Sequence, residues 1–320
     1  MSYRVAFRLA ALALAACAAS TLRAGPAVSA PTMPPAVATV TVPAETFVVG
    51  TLKVERFGKS GRAIILIPGL AGGTWVWSQT IAALAKTHTV YAVTLAGFDG
   101  TPAPKGDMNW LDQADASLVD LIRSHHLDKD ILVGHSLGGT IALRFAGEHP
   151  DLTSGVVAVD GLPIFPGMER VTEAQRAAIA AGMRVQMEAA SPDAFKAQQL
   201  SYMQKIGSLD PATAGRVAPL NARSDQKAIA RYMAEDASAD FRPALKSAKI
   251  AILEISPYNA ADFNQGPTAM SEQQKTAYYA SLLADAPDAK VISIAPSRHY
   301  VMLDQPAAFQ KALADFIKAH

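Results

Sequence analysis

A single cysteine, Cys17, in 320 residues excludes an internal disulfide. Charge is also scarce: only 18% of residues are charged, and 29 Lys and Arg against 28 Asp and Glu leave a formal +1. With no basic cluster, nucleic acid is not expected as a partner. No stretch reaches the roughly 20 consecutive apolar residues that span a bilayer. No internal period suggests a repeat array. Neither a metal-ligand spacing nor a nucleotide fingerprint is present, so no metal and no cofactor is expected. What remains is a chain that is 50% hydrophobic. That suffices for one large α/β domain, or a core with a modest insertion.

The N-terminus, MSYRVAFRLAALALAAC, has a positive stretch with Arg4 and Arg8, followed by a short apolar run from Leu9 to Ala16. This is the pattern of a secretory signal. Leu14-Ala15-Ala16-Cys17 resembles the bacterial lipobox, in which the cysteine is lipidated; ordinary cleavage after Ala18 or Ala24 is the alternative. An exported, periplasmic protein is expected, touching a membrane only through a lipid anchor at Cys17. From 18 to 44 the chain is rich in Ala, Pro, Thr and Val without amphipathic period, which fits a flexible tether. The folded domain is expected over 45–320.

Within it, FVVGTLKVERFG alternates apolar and polar residues, as antiparallel edge strands do. RAIILIP, HTVYAVTL, DILV, GVVAVD, KIAILEIS and KVISIA read as strands, the apolar ones buried. Helical spacing lies between several of them, in WSQTIAALAK, WLDQADASLVDLIRSHH and LGGTIALRFAGEHP. The C-terminal stretch near Ala307 to Ala319 is helical too. Such alternation predicts an α/β fold, a mostly parallel sheet with helices on both faces. Between about 162 and 245 the alternation stops, and ERVTEAQRAAIAAGMRVQMEAA, DAFKAQQLSYMQKIG and SDQKAIARYMAEDAS are helical in pattern. An all-helical insertion after one strand predicts a cap over the carboxyl ends of the sheet. Its methionines, including Met168, Met183, Met187, Met203 and Met233, suit either an adaptable apolar cleft or ordinary core.

GHSLGG, Gly134 to Gly139, sits between the strand DILV and a helix. A serine held at so sharp a turn, between small neighbours, is lifted out of the sheet and exposed to a reactant. By itself the pentapeptide G-x-S-x-G also occurs by chance in glycine-rich turns.

With GHSLGG stand Pro68-Gly69-Leu70 after the first buried strand, LAGFDGT at Leu95 to Thr101, and Ser297-Arg298-His299-Tyr300 followed by Asp304-Gln305-Pro306. In these landmarks and their order the chain resembles the α/β-hydrolase superfamily from about Thr46 to the end. The resemblance implies Ser136 as nucleophile and His299, after the last strand, as base. His88, His125, His126, His149 and His320 fall where solvated or capping histidines are expected, and His135 where it packs beside the nucleophile. The resemblance also implies an oxyanion hole from the backbone N–H groups of Leu137 and Leu70. The usual Gly-x-x-Asp after the penultimate strand is broken here, with Asn259 near the expected place and Asp262 displaced. One branch of haloalkane dehalogenases carries its acid at the place of Asp160, which is therefore the first choice, ahead of Asp262 and then Glu254. The alternative for Asp160 is a helix or turn cap. Trp75 and Trp77 are expected either to wall the site or to pack in the core.

These residues imply a serine hydrolase that cleaves an ester, lactone or thioester of a small or medium apolar acyl substrate. Acyl transfer, cofactor-free haloperoxidase chemistry and a non-catalytic tethered binding protein are the alternatives. A monomer or small homo-oligomer is expected.

Overall fold

The structure is a computed structural model that describes residues 41–127, 129–263 and 269–320. The expected signal segment with Cys17 and nearly all of the expected tether lie outside the described residues. Eight strands form one sheet: β1 (Glu45–Val49), β2 (Leu52–Phe57), β3 (Ala63–Ile67), β4 (Thr89–Leu95), β5 (Ile131–His135), β6 (Gly155–Val159), β7 (Ala251–Pro257) and β8 (Ala289–Ile294). Their spatial order is β1-β2-β4-β3-β5-β6-β7-β8. β1 and β2 pair antiparallel with each other, and β2 pairs antiparallel with β4. Every later pairing is parallel.

The period of two along the strands splits the core into two layers. Ile64 and Leu66 of β3 and Val90 and Ala92 of β4 face one side. There they meet Ile81 of the helix Ser78–Leu84 and Phe309, Leu313 and Phe316 of the helix Pro306–Ala319. Ile65, Ile67, Val93 and Leu95 face the other side, against the helices Trp110–Ser124 and Leu137–Glu148. Covering both faces explains why β3 and β5 to β7 are buried end to end. Each fully buried Ile or Leu contributes roughly 1.5–3 kcal/mol to holding the layers together.

The insertion after β6 is helical: Glu173–Glu188, Pro192–Tyr202, Pro211–Asn221 and Gln226–Ser238. Each helix carries its own start signal. The side chains of Thr172, Ser191, Asp210 and Asp225 accept from backbone N–H groups in the first turn, a bond worth about 1 kcal/mol at each end. A third cluster, including Leu162, Ile164, Met168 and Met183 from the insertion with Tyr278 and Tyr279, seats the cap on the helix Glu272–Leu282. Two helices have no counterpart in the periodic reading above: Pro211–Asn221 and Glu272–Leu282, the latter between β7 and β8. No described helix is long and apolar enough to cross a membrane.

Candidate active site

Ser136 sits between the end of β5 and the helix Leu137–Glu148 with φ 53° and ψ −123°. A non-glycine residue in such a region costs about 1–3 kcal/mol and persists only where neighbours hold it. Here its N–H donates to the Val159 carbonyl at 2.9 Å, and its own carbonyl accepts from Thr140 N–H at 3.0 Å. The flanking glycines are required by close approach. A Cβ at Gly134 would lie 2.0 Å from the Gly138 carbonyl oxygen, and one at Gly138 would lie 2.3 Å from that of Ile67. A Cβ on Gly69 would lie 2.9 Å from the Ser136 Cβ, so the Pro68-Gly69-Leu70 loop packs directly on the serine. Leu137 opens the helix, where the first N–H groups have no partner within the helix and the dipole is positive. Leu70, Leu137 and Ser136 all line one cavity of about 340 Å³.

His299 and Asp160 line the same cavity. Nδ1 of His299 is 2.5 Å from Oδ2 of Asp160, and the Tyr279 hydroxyl donates to Asp160 Oδ1 at 2.5 Å. Asp160 directly follows β6 with φ 49°, and its N–H donates to the Ile255 carbonyl of β7 at 3.0 Å. Burial alone would raise its pKa. The Lys275 ammonium, then the hydrogen bond and charge of His299, then the Tyr279 hydroxyl, override burial and hold the carboxyl well below the usual carboxylate range. Lys275 is itself buried and donates to the Pro257 carbonyl, with its own pKa drawn down by burial against the pull of Asp160, Glu254 and Asp262. Among the described residues no hydrogen bond joins Ser136 Oγ to His299; such contacts often close only when a substrate is bound.

A model of the alpha/beta hydrolase family matches residues 64–312. The chain belongs to that family. A fluoroacetate dehalogenase from a Burkholderia species is 31% identical over 118 residues, 36% of this chain and 39% of the relative. An uncharacterized protein of Mycobacterium tuberculosis is 33% identical over 110 residues, 34% of this chain. The chain spans about a third of the length of the first such curated relatives, 32%. Among solved structures, an enol-lactonase from Burkholderia xenovorans LB400 has a TM-score of 0.63 at 20% identity, over 86% of this chain and 100% of the other. A thermophilic esterase from Thermogutta terrifontis has a TM-score of 0.67 at 16% identity, over 86% and 99%. At these identities the two structures share the fold.

Of the other acid candidates of this α/β hydrolase, one is paired elsewhere and one is buried within the sheet. Asp262 makes a two-pronged pair with Arg298, at 2.8 Å from Nη2 and from Nε, and accepts from Asn259 Nδ2 at 2.8 Å. Glu254 is fully buried in β7. Burial first, then the Asp160 charge, pushes its pKa well up, which favours its neutral form. His135 packs against both His299 and Tyr300. Its Nε2 lies 3.0 Å from the His299 carbonyl, which can only accept, so the proton sits on Nε2. Burial, then the neighbouring His299, pulls its pKa down to about 3, so it stays neutral. His135 thus braces the loop that bears His299.

Neither tryptophan faces the cavity. Trp77 is fully buried against Phe309, and Trp75 packs on the same core layer. Met187 and Met233 do line the cavity, while Met168, Met183 and Met203 are buried core. Tyr279 and Lys275 were not singled out from the sequence, yet a start signal stands before them: Ser271 and Gln274 form a capping box.

The cap is joined to the histidine loop by backbone. His299 N–H donates to the Ile206 carbonyl at 3.1 Å and Tyr300 N–H to that of Gly207 at 2.9 Å. Arg298 adds a bond to the Gln204 carbonyl at 2.7 Å. Away from the cavity, Asp115, Glu148 and His149 are the described group that could hold a metal ion. They are paired within the chain: His149 with Asp115 Oδ2 at 2.7 Å, and Arg144 with Glu148 at 2.8 Å.

Proposed function

We propose that this α/β hydrolase is a serine hydrolase that cleaves a carboxylic ester, lactone or thioester through an acyl-enzyme. The observation that carries this reading is the 2.5 Å hydrogen bond that His299 Nδ1 donates to Asp160 Oδ2, in the same cavity as Ser136. A serine hydroxyl is a poor nucleophile at neutral pH and needs a base. In this reading Ser136 Oγ attacks the acyl carbon as its proton passes to His299 Nε2. The carbonyl oxygen takes up the negative charge against the backbone N–H groups of Leu70 and Leu137. Collapse of the intermediate expels the alcohol or thiol, which takes the proton from His299, and leaves Ser136 acylated. Water, giving its proton to His299, then releases the acid by the same steps. Asp160 stays ionised throughout and stabilises the imidazolium.

The cavity walls suit an acyl group of modest size: Leu162, Ile164, Phe165, Phe195 and Ile229 are apolar, and about 340 Å³ admits a small or medium compound. A fluorophosphonate should label the wild type and not Ser136→Ala. Ser136→Ala and His299→Ala should each lower p-nitrophenyl ester turnover by about 10⁴–10⁶. An unlabelled wild type, or a Ser136→Ala variant that turns over normally, would end this reading. Product analysis in added alcohol separates hydrolysis from acyl transfer. Export and anchoring at Cys17 belong to the same proposal: a palmitate analogue should tag the wild type in cells and not Cys17→Ser, and equal tagging of both would refute it.

A further inference from the structure

We propose that the carboxyl of Asp236, on the cap, is the receptor for a protonated amine carried by the substrate. The proposal rests on the reading of Ser136 as nucleophile and adds to it the substrate's chemical class. The helix Gln226–Ser238 turns Gln226, Ile229, Met233 and Asp236 toward the cavity. Their spacings of three, four and three residues put them on one helical face. Asp236 is therefore the polar end of a stripe that is otherwise apolar from Ile229 to Met233.

What sets Asp236 apart is the absence of a partner. The other carboxylates that line the cavity are met from within the chain, Asp160 by His299 and Tyr279 and Asp262 by Arg298, and on the same helix Glu235 is met by Arg231. Asp225 is satisfied by its own helix as the N-cap. Among the described residues, none donates a hydrogen bond to the Asp236 carboxyl. Burial acts on it unopposed by any cation and pushes its pKa up to about 7.

Asp236 is half-buried on the cavity wall; holding a carboxyl there without a donor or counter-charge is costly, and an asparagine, serine or leucine in its place would avoid that cost. The cost is recovered if a ligand brings the missing charge and hydrogen-bond donors together. An ammonium does both, whereas a neutral acceptor on the ligand would use only the carboxyl's single proton. The cations that line the cavity are Lys205, Lys275 and Arg298. Lys275 is committed to Pro257 and the acids beside Asp160, and Arg298 to Asp262. A substrate with its acyl carbon at Ser136 and its ammonium at Asp236 would place each charge where the chain supplies the complement.

The test uses p-nitrophenyl esters of matched chain length that end in a dimethylammonio group, an isopropyl group of nearly the same shape, or a hydroxyl. At one chain length the wild type should prefer the ammonium ester over the isopropyl ester by about tenfold or more in kcat/KM. The preference should lie mainly in KM. Asp236→Asn should bring that ratio close to one, and Asp236→Glu should retain part of it. No preference at any chain length would overturn the proposal, as would a hydroxyl ester that matches the ammonium ester. A preference that survives in Asp236→Asn would overturn the assignment of the receptor. Failure of the underlying reading looks different: no ester is turned over, and the fluorophosphonate does not label Ser136.

Discussion

Strands β6 and β7 lie side by side, and the chain leaving each one reaches an aspartate with a cationic partner, yet the two carboxylates have different tasks. Asp160 follows β6 at once and is fixed by backbone, its N–H bonded to the Ile255 carbonyl. Asp262 comes five residues after β7 ends, on the four-residue helix Ala260–Phe263, and is held through side chains by Arg298 and Asn259. Burial opposes ionisation at both, and at both a cation prevails: Lys275 foremost at Asp160, Arg298 at Asp262. The difference lies in what each cation leaves free. Lys275 acts on Asp160 through its charge without a hydrogen bond, which leaves Oδ1 for Tyr279 and Oδ2 for His299. Arg298 occupies both oxygens of Asp262.

The comparison is broken most directly by exchanging amides for acids. Asp160→Asn should lower kcat by about 10⁴ with the fold retained, since an amide leaves the imidazole in the wrong tautomer. Steady-state kinetics beside a thermal melt would check it, and an equal loss in Asp262→Asn would erase the distinction. Lys275→Gln should act through pH. Without the ammonium, burial raises the Asp160 pKa, so the acid limb of the kcat/KM profile should move to higher pH. The stability sign is the same. A carboxyl with a depressed native pKa contributes stability that is complete above its unfolded value of about 3.9 and is lost as pH falls through the native value. With less depression, the acid unfolding midpoint should rise. Tyr279→Phe removes one hydrogen bond to a charged group, and about tenfold in kcat is expected. Asp262→Asn should change kcat least, while freeing Arg298 and lowering the melting temperature.

Much of this arrangement could be read in advance because it is written in strands. The succession of strands along the chain follows from apolar runs and the elbow at Ser136 from GHSLGG between a strand and a helix, while the choice of Asp160 rests on its place directly after a strand together with the family resemblance. The helix Glu272–Leu282 escaped because its buried face, Lys275, Tyr278, Tyr279 and Leu282, includes a charged residue and breaks the apolar period. Pro211–Asn221 escaped because Pro219 and Gly215 lie inside it, and both usually argue against a helix. That Asp160 is flanked by Tyr279 and Lys275 is a contact across more than a hundred residues, which no local pattern carries.

The seam between the cap and the histidine loop bears on traffic through the cavity. Residues Ile206 and Gly207 belong to the cap, yet they are tied by main chain to His299 and Tyr300. A displacement that lifted this edge would drag His299 off Asp160, so along this side an opened passage and an intact His299–Asp160 pair exclude each other. Traffic that leaves the base intact must use another side of the cap. Swapping side chains along the seam would do little to loosen it, because the ties run through peptide groups that every residue but proline provides.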